Sequence, residues 1–184
     1  MKEKVLNITG FLTHNNCGGA QKAMAKLQEK MSSDDISLNV VYLYGKAGEV
    51  MGNGEVLVSR EVPIFKRYFL IIYYLFRYMS KHKPDAVISF LPLSNVLTAL
   101  VAMLYSVKFR VISHRNPVWT YTKTLRLLDR FLGRMGVYTA IVANSNAVKS
   151  SLNGYSEKYR SKVRVINNGV EVSKIGRASC RERV

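Results

Sequence analysis

Short apolar runs alternate along this chain with stretches whose apolar residues recur at helical spacing. Val5 to Ile8 reads as a short strand, and Gly10 to Gly19 as a polar, glycine-containing loop. Ala20, Ala23, Met24, Leu27 and Met31 then fall on one helical face, with Gln21, Lys22, Lys26, Gln28 and Lys30 on the others. Ser37 to Tyr44 is a second strand, Gly45 to Gly54 a loop, and Val56 to Val62 a short strand closing at Pro63. Lys66 to His82 is a helix. Strands follow at Ala86–Leu91, Phe109–Ser113, Tyr138–Ala143 and Val163–Ile166, interleaved with helices at Asn95–Tyr105, Tyr121–Met135 and Ser145–Leu152.

Near-continuous apolar strands alternating with helices predict an α/β fold, a Rossmann-like parallel sheet with helices on both faces. In such sheets ligands bind beyond the carboxyl ends of the strands. Attention therefore falls on Gly10–Gly19, Pro92–Asn95, His114–Pro117, Asn144–Ser145 and Asn167–Gly169. Residues 86–107 carry no charge and are long enough to cross a bilayer. Pro92, Ser94 and Asn95 interrupt that run where a turn would be. The expected reading is strand, turn and apolar helix, with Ser94 as N-cap.

Composition narrows this picture only a little. The 184 residues suit one domain, and 48% hydrophobic content excludes a disordered chain. The last stretch differs from everything before it. Ile175 to Val184 back-translates as a sequencing adapter read in frame, so the natural chain is expected to run over 1–173, with 174–184 a foreign tail. The formal charge is +16; without Lys174, Arg177, Arg181, Arg183 and Glu182, a net +3, it is +13. A balance this basic favours an anionic partner, whether phosphate ligand, membrane or nucleic acid. Cys17 stands alone in the body, with Cys180 in the tail, which fits a reducing compartment. The apolar stretch after Met1 is too short for a signal peptide.

The candidate chemistry sits after strands. Gly18-Gly19 opens a helix, where free N–H groups and the helix dipole suit a phosphate; an ordinary turn would use glycines equally well. Ser113-His114-Arg115-Asn116-Pro117 offers an imidazole that titrates near neutrality beside a guanidinium that pairs with phosphate or carboxylate. Asn144-Ser145 reads as an N-cap and Asn167-Asn168-Gly169 as a turn. Aromatic residues between Lys66-Arg67 and Arg77, Lys81 and Lys83 describe either a core helix with basic ends or one lying at a lipid interface. Arg126, Arg130 and Arg134 mark a solvated helix face or an anion-facing surface. His14, His82 and His114 have no metal-ligand spacing. G-x-G-x-x-G and Walker A motifs are absent.

Five segments in order resemble one family. They are Ile8-Thr9-Gly10 with Gly18-Gly19-Ala20-Gln21, Lys83-Pro84-Asp85-Ala86-Val87-Ile88-Ser89-Phe90, and Val111-Ile112-Ser113-His114-Arg115-Asn116-Pro117. Ile141-Val142-Ala143-Asn144-Ser145 and Val165-Ile166-Asn167-Asn168-Gly169-Val170-Glu171 complete the set. Together they resemble the N-terminal half of a GT-B glycosyltransferase of the retaining family 4. Gln21 stands where the family commonly has Glu, and Glu171 where it has Asp.

The resemblance implies the acceptor-side domain of a two-domain enzyme whose C-terminal donor-binding domain is absent. It implies transfer from a nucleotide-sugar co-substrate to a lipid-linked or cell-surface saccharide, with retention and with neither metal nor other cofactor. His114 falls near the family's catalytic position. Gly18, Gly19, Arg115, Asn116, Asn144, Ser145, Asn168 and Gly169 fall at substrate-binding positions. It places the protein in the cytoplasm, at the inner face of the plasma membrane with an anionic surface as partner, and without nucleic acid. Half a cleft should be inactive alone. The rivals are a basic nucleic-acid-binding α/β module, a small membrane protein spanning at 86–107, and a dehydrogenase.

Overall fold

A computed structural model describes residues 5–31, 33, 35–46 and 54–168. The predicted Gly169, the Glu171 departure and the 174–184 tail lie outside the described residues. Seven strands form one parallel sheet in the order β3-β2-β1-β4-β5-β6-β7. They are β1 (Leu6–His14), β2 (Ile36–Gly45), β3 (Gly54–Ser59), β4 (Ala86–Phe90), β5 (Phe109–His114), β6 (Ala140–Ala143) and β7 (Val163–Val165). The helices are α1 (Gly19–Met31), α2 (Ile64–His82), α3 (Pro92–Leu104), α4 (Lys123–Met135), α5 (Asn146–Ser151) and α6 (Glu157–Arg160).

The strand register assigns side chains to two layers. Leu12, Val40, Tyr42 and Phe90 pack with Ala20 and Met24 of α1, and Ile8, Leu38 and Ala86 pack with Leu27 and Met31 farther along the same helix. Phe11, Val41, Leu43 and Val87 pack with Ile71, Leu75 and Met79 of α2 and with Val101 and Ala102 of α3. Ile112, Ile141, Ala143 and Val163 continue that second layer under α4, α5 and α6. Helices therefore cover both faces, α1 on one and α2 to α6 on the other. This asymmetry follows from right-handed crossovers. The chain steps outward from β1 to β2, then returns across β1 to build the sheet in the other direction.

Several sequence expectations change. β1 does not stop at Ile8 but runs through Gly10 to His14. Thr9 and Thr13 are buried there, so polar residues in a central strand disguised it as a loop. Ser94 is not the N-cap of α3. The helix starts earlier, at Pro92, and Leu91 precedes it with φ 79°, a region that branched and bulky residues rarely enter. Ser94 instead lies buried inside the first turn. Its hydroxyl donates to the Phe90 carbonyl and lies 3.0 Å from Leu91 O, while its amide donates to Thr13 Oγ1 at 3.2 Å. The 3-10 turn Val118–Thr120 and helix α6 were not anticipated. Residues 86–107 form strand, turn and a 13-residue helix, and no described helix is long and apolar enough to cross a membrane. The spanning reading of that segment is thereby set aside.

Candidate functional site

The carboxyl ends of β1, β4, β5, β6 and β7 surround a cavity of about 340 Å³. Gly18 and Gly19 form one wall at the amino end of α1. Arg115, Asn116, Asn144 and Asn168 form the other, with Leu91 between them. A larger cavity of about 560 Å³ lies at the opposite end of the sheet, beside Leu6, Asp85 and Lys108, where the strands begin. The smaller cavity is the one placed where an open parallel sheet binds ligands.

Each wall is built by local bonds. Gln21 is buried, and its Nε2 donates to the backbone oxygen of His14 at 2.9 Å, tying α1 to the end of β1. A glutamate at this position would be an acceptor facing an acceptor. A Cβ on Gly18 would stand 2.9 Å from Gln21 Oε1, so the glycine leaves room for that tie. His14 itself lines the cavity, with its pKa lowered first by burial and then by the Arg60 charge. Sequence reasoning missed His14 as a wall because β1 was read as ending six residues earlier.

Arg115 is the cation of the opposite wall. Its guanidinium lies over the Phe90 ring, 4.8 Å from the centroid, and its Nη2 donates to Asn168 Oδ1 at 2.6 Å. Burial lowers its pKa, yet a guanidinium stays charged at neutral pH. Asn144 Nδ2 donates to Arg115 O at 3.0 Å, and Asn144 N donates to His114 O. Ser145 caps α5, accepting from Val148 N at 3.2 Å, and stands outside the wall.

His114 is placed differently from the expectation. It is the last residue of β5 rather than a loop residue, and its side chain is fully buried on the side packed by α4 and α6. Tyr159 Oη donates to both oxygens of Asp129, at 3.0 and 3.2 Å. That leaves Tyr159 Oη to accept from His114 Nε2 at 2.6 Å, so Nδ1 is the acceptor for Tyr121 Oη at 2.9 Å. Tyr121 Oη also lies 3.3 Å from Asn116 O, in the cavity wall. Burial lowers the His114 pKa, and Asp129 opposes it from 3.8 Å away. Tyr121, Tyr138, Tyr155 and Tyr159 are all raised, first by burial and then by Asp129. The result is a neutral imidazole held between two phenols above a buried carboxylate. This arrangement fixes the end of β5, and with it Arg115 and Asn116, but does not bring the imidazole into the cavity.

Comparison with known proteins settles the family. The model of Glycosyltransferase Family 4 matches residues 17–174. The chain belongs to glycosyltransferase family 4. That membership sets aside the dehydrogenase and the unrelated nucleic-acid-binding module. Its fold is similar to that of the lipopolysaccharide outer core galactosyltransferase WaaB in its apo form, with TM-score 0.65, 14% identity, and 90% of this chain matched to 46% of that one. It is also similar to Anabaena Alr3699/HepE in complex with UDP, with TM-score 0.69, 16% identity, and 91% matched to 45%. The UDP-GlcNAc 2-epimerase from Methanocaldococcus jannaschii shares the fold with TM-score 0.61 and 13% identity, 88% matched to 45%. This family 4 chain thus spans about half the length of those structures. No curated protein matches its sequence. Of the expected site residues, Gly18, Gly19, Arg115, Asn116, Asn144 and Asn168 meet in one cavity.

Proposed function

We propose that this chain is the acceptor-side half of a retaining hexosyltransferase, using a nucleotide-sugar as co-substrate and needing no metal or other cofactor. The observation that carries the reading is the meeting of the α1 amino terminus at Gly18-Gly19 with the Arg115 guanidinium in one cavity. Free backbone N–H groups on one side and a fixed cation on the other suit the diphosphate of such a donor. The UDP bound by HepE supports that donor class. Arg115 would hold the phosphates, and Asn144 and Asn168 would hold Arg115. Asn116 would face the saccharide acceptor, which is lipid-linked or on the cell surface. Gly169 is retained as a substrate-binding residue, while Ser145 would act through the α5 cap.

His114, expected to be catalytic, is proposed instead as a positioning residue for the neighbouring loop. The natural domain would cover 1–173, with 174–184 contributing nothing. Transfer would require a donor-binding domain, because half a cleft cannot orient two substrates. The protein would work in the cytoplasm, at the inner face of the plasma membrane. A direct test compares the 184-residue chain with the uninterrupted gene product, supplied with a panel of nucleotide-sugars and a polyprenyl-linked saccharide. The longer protein should transfer sugar and the 184-residue chain should not. Transfer by the shorter chain alone would refute the reading.

A further inference from the structure

Helices α2, α3 and α4 lie side by side on one face of the sheet, and their outward sides are apolar. On α2, Ile71, Leu75 and Met79 point inward, so a 100° step per residue turns Phe65, Phe69, Tyr73 and Phe76 outward. Phe65 is 94% exposed and Phe69 73%. On α3, Leu93, Leu97 and Leu100 are half-buried where they pack against the core beside α2 and α4, and Leu104 at the end of the helix is 60% exposed. On α4, Asp129 and Leu132 point inward, while Leu127 (68% exposed), Phe131 and Met135 point out. Phe76 meets Tyr105, just past α3, with ring centroids 6.0 Å apart, so the apolar surfaces of α2 and α3 are continuous. An exposed apolar surface on this scale marks an interaction site.

Charge identifies the partner. Across α2, α3 and α4 the only acidic residue is Asp129, and it is buried. Lys66, Arg77 and Lys81 flank the α2 aromatics on the side away from Phe76. On α4, Arg130 reaches Gly154 O at 2.8 Å, so the Lys123, Arg130 and Arg134 side of the helix lies away from α3. The apolar band is thus bordered by cations along both outer margins. A second copy of this chain would set cations against cations. Anionic lipid headgroups complement the margins while the band enters the acyl boundary, and exposed Tyr68, Tyr73 and Trp119 suit the headgroup level.

We infer that the outward face of the α2–α3–α4 layer is the surface by which this protein docks onto an anionic bilayer. The inference deepens the membrane part of the proposed function and is independent of the sugar chemistry. It also extends the contact from the aromatic helix to α4, whose arginine row the sequence left undecided.

Flotation of the 184-residue chain with phosphatidylcholine vesicles, with and without phosphatidylglycerol, tests it. Binding should require phosphatidylglycerol. Phe69→Ser with Phe131→Ser, which changes no charge, should weaken binding at least about ten-fold with the circular dichroism spectrum unchanged. Arg77→Glu with Arg134→Glu should weaken it similarly. Lys22→Glu with Lys30→Glu on α1, the opposite face, carries the same charge change and should leave binding within about two-fold. Equal loss in the α1 variant would reduce the effect to net charge and overturn the inference. So would equal binding to both vesicle types. Self-association in light scattering that the Phe69/Phe131 variant abolishes would also overturn it, by assigning the face to a second copy. Failure of the uninterrupted gene product to transfer sugar while flotation holds would count against the proposed function alone.

Discussion

Gln21 shows how one side chain can settle a position. Its amide nitrogen serves the His14 carbonyl inside the protein, a bond a carboxylate cannot make. Gln21→Glu should destabilise the fold by about 1–3 kcal/mol in urea titrations, because a buried acceptor is left without its donor. Tyr159 stands between His114 Nε2 and Asp129, and Tyr159→Phe removes the hydroxyl that joins the two groups. A loss of about 2 kcal/mol or more is expected by the same measurement. The imidazoles also fix the direction of the pH dependence. Burial depresses the folded-state pKa of His114 and of the half-buried His14. The unfolded chain protonates these groups near pH 6.5, while the folded chain resists until lower pH. Below about pH 6.5 the unfolded state therefore binds more protons, and stability falls with acidification; above it these residues add no slope. His114→Gln should flatten the decline between pH 6.5 and 5 in thermal melts.

At the scale of elements, packing decides what periodicity leaves open. Gly133 on α4 receives the Tyr159 ring, and a Cβ there would stand 1.9 Å from Tyr159 Cδ2. Gly133→Ala should force α4 away from α6 and cost about 1–3 kcal/mol. A Gly133→Ala protein with unchanged urea midpoint would show that this contact is not held in solution. The same element explains what the sequence could and could not reveal. Helix α1 was legible from spacing, and all seven strands from apolar runs. The length of β1 was not, because Thr9, Gly10 and Thr13 look like loop residues until neighbours on both sides bury them. Nor was the inward turn of His114 legible. A strand end and a loop start differ by one residue in sequence but by a whole face of the sheet. Gly18, Gly19, Arg115, Asn116, Asn144 and Asn168 were found because they follow strands. Tyr159 and Asp129 have no local signal, being brought to His114 only by the crossing of α4 and α6 over β5.

For the molecule as a whole, the two ends of the sheet and its two faces divide the work. The carboxyl end carries a cationic, glycine-walled cavity, the α2–α3–α4 face an apolar band between basic margins, and the buried tyrosine cluster joins them through α4 and β5. Under the two proposals the strong positive charge of the sequence would have two separate uses, phosphate binding and surface docking. In both, Arg and Lys side chains offset anionic groups. The central claim is that the cavity holds the phosphates of a nucleotide-sugar, with Arg115 as the fixed cation. The most direct measurement is the kcat/KM for sugar transfer by the uninterrupted gene product and by its Arg115→Ala variant, each shown to be folded. The account predicts a loss of about a hundred-fold in the variant. An unchanged kcat/KM would contradict it.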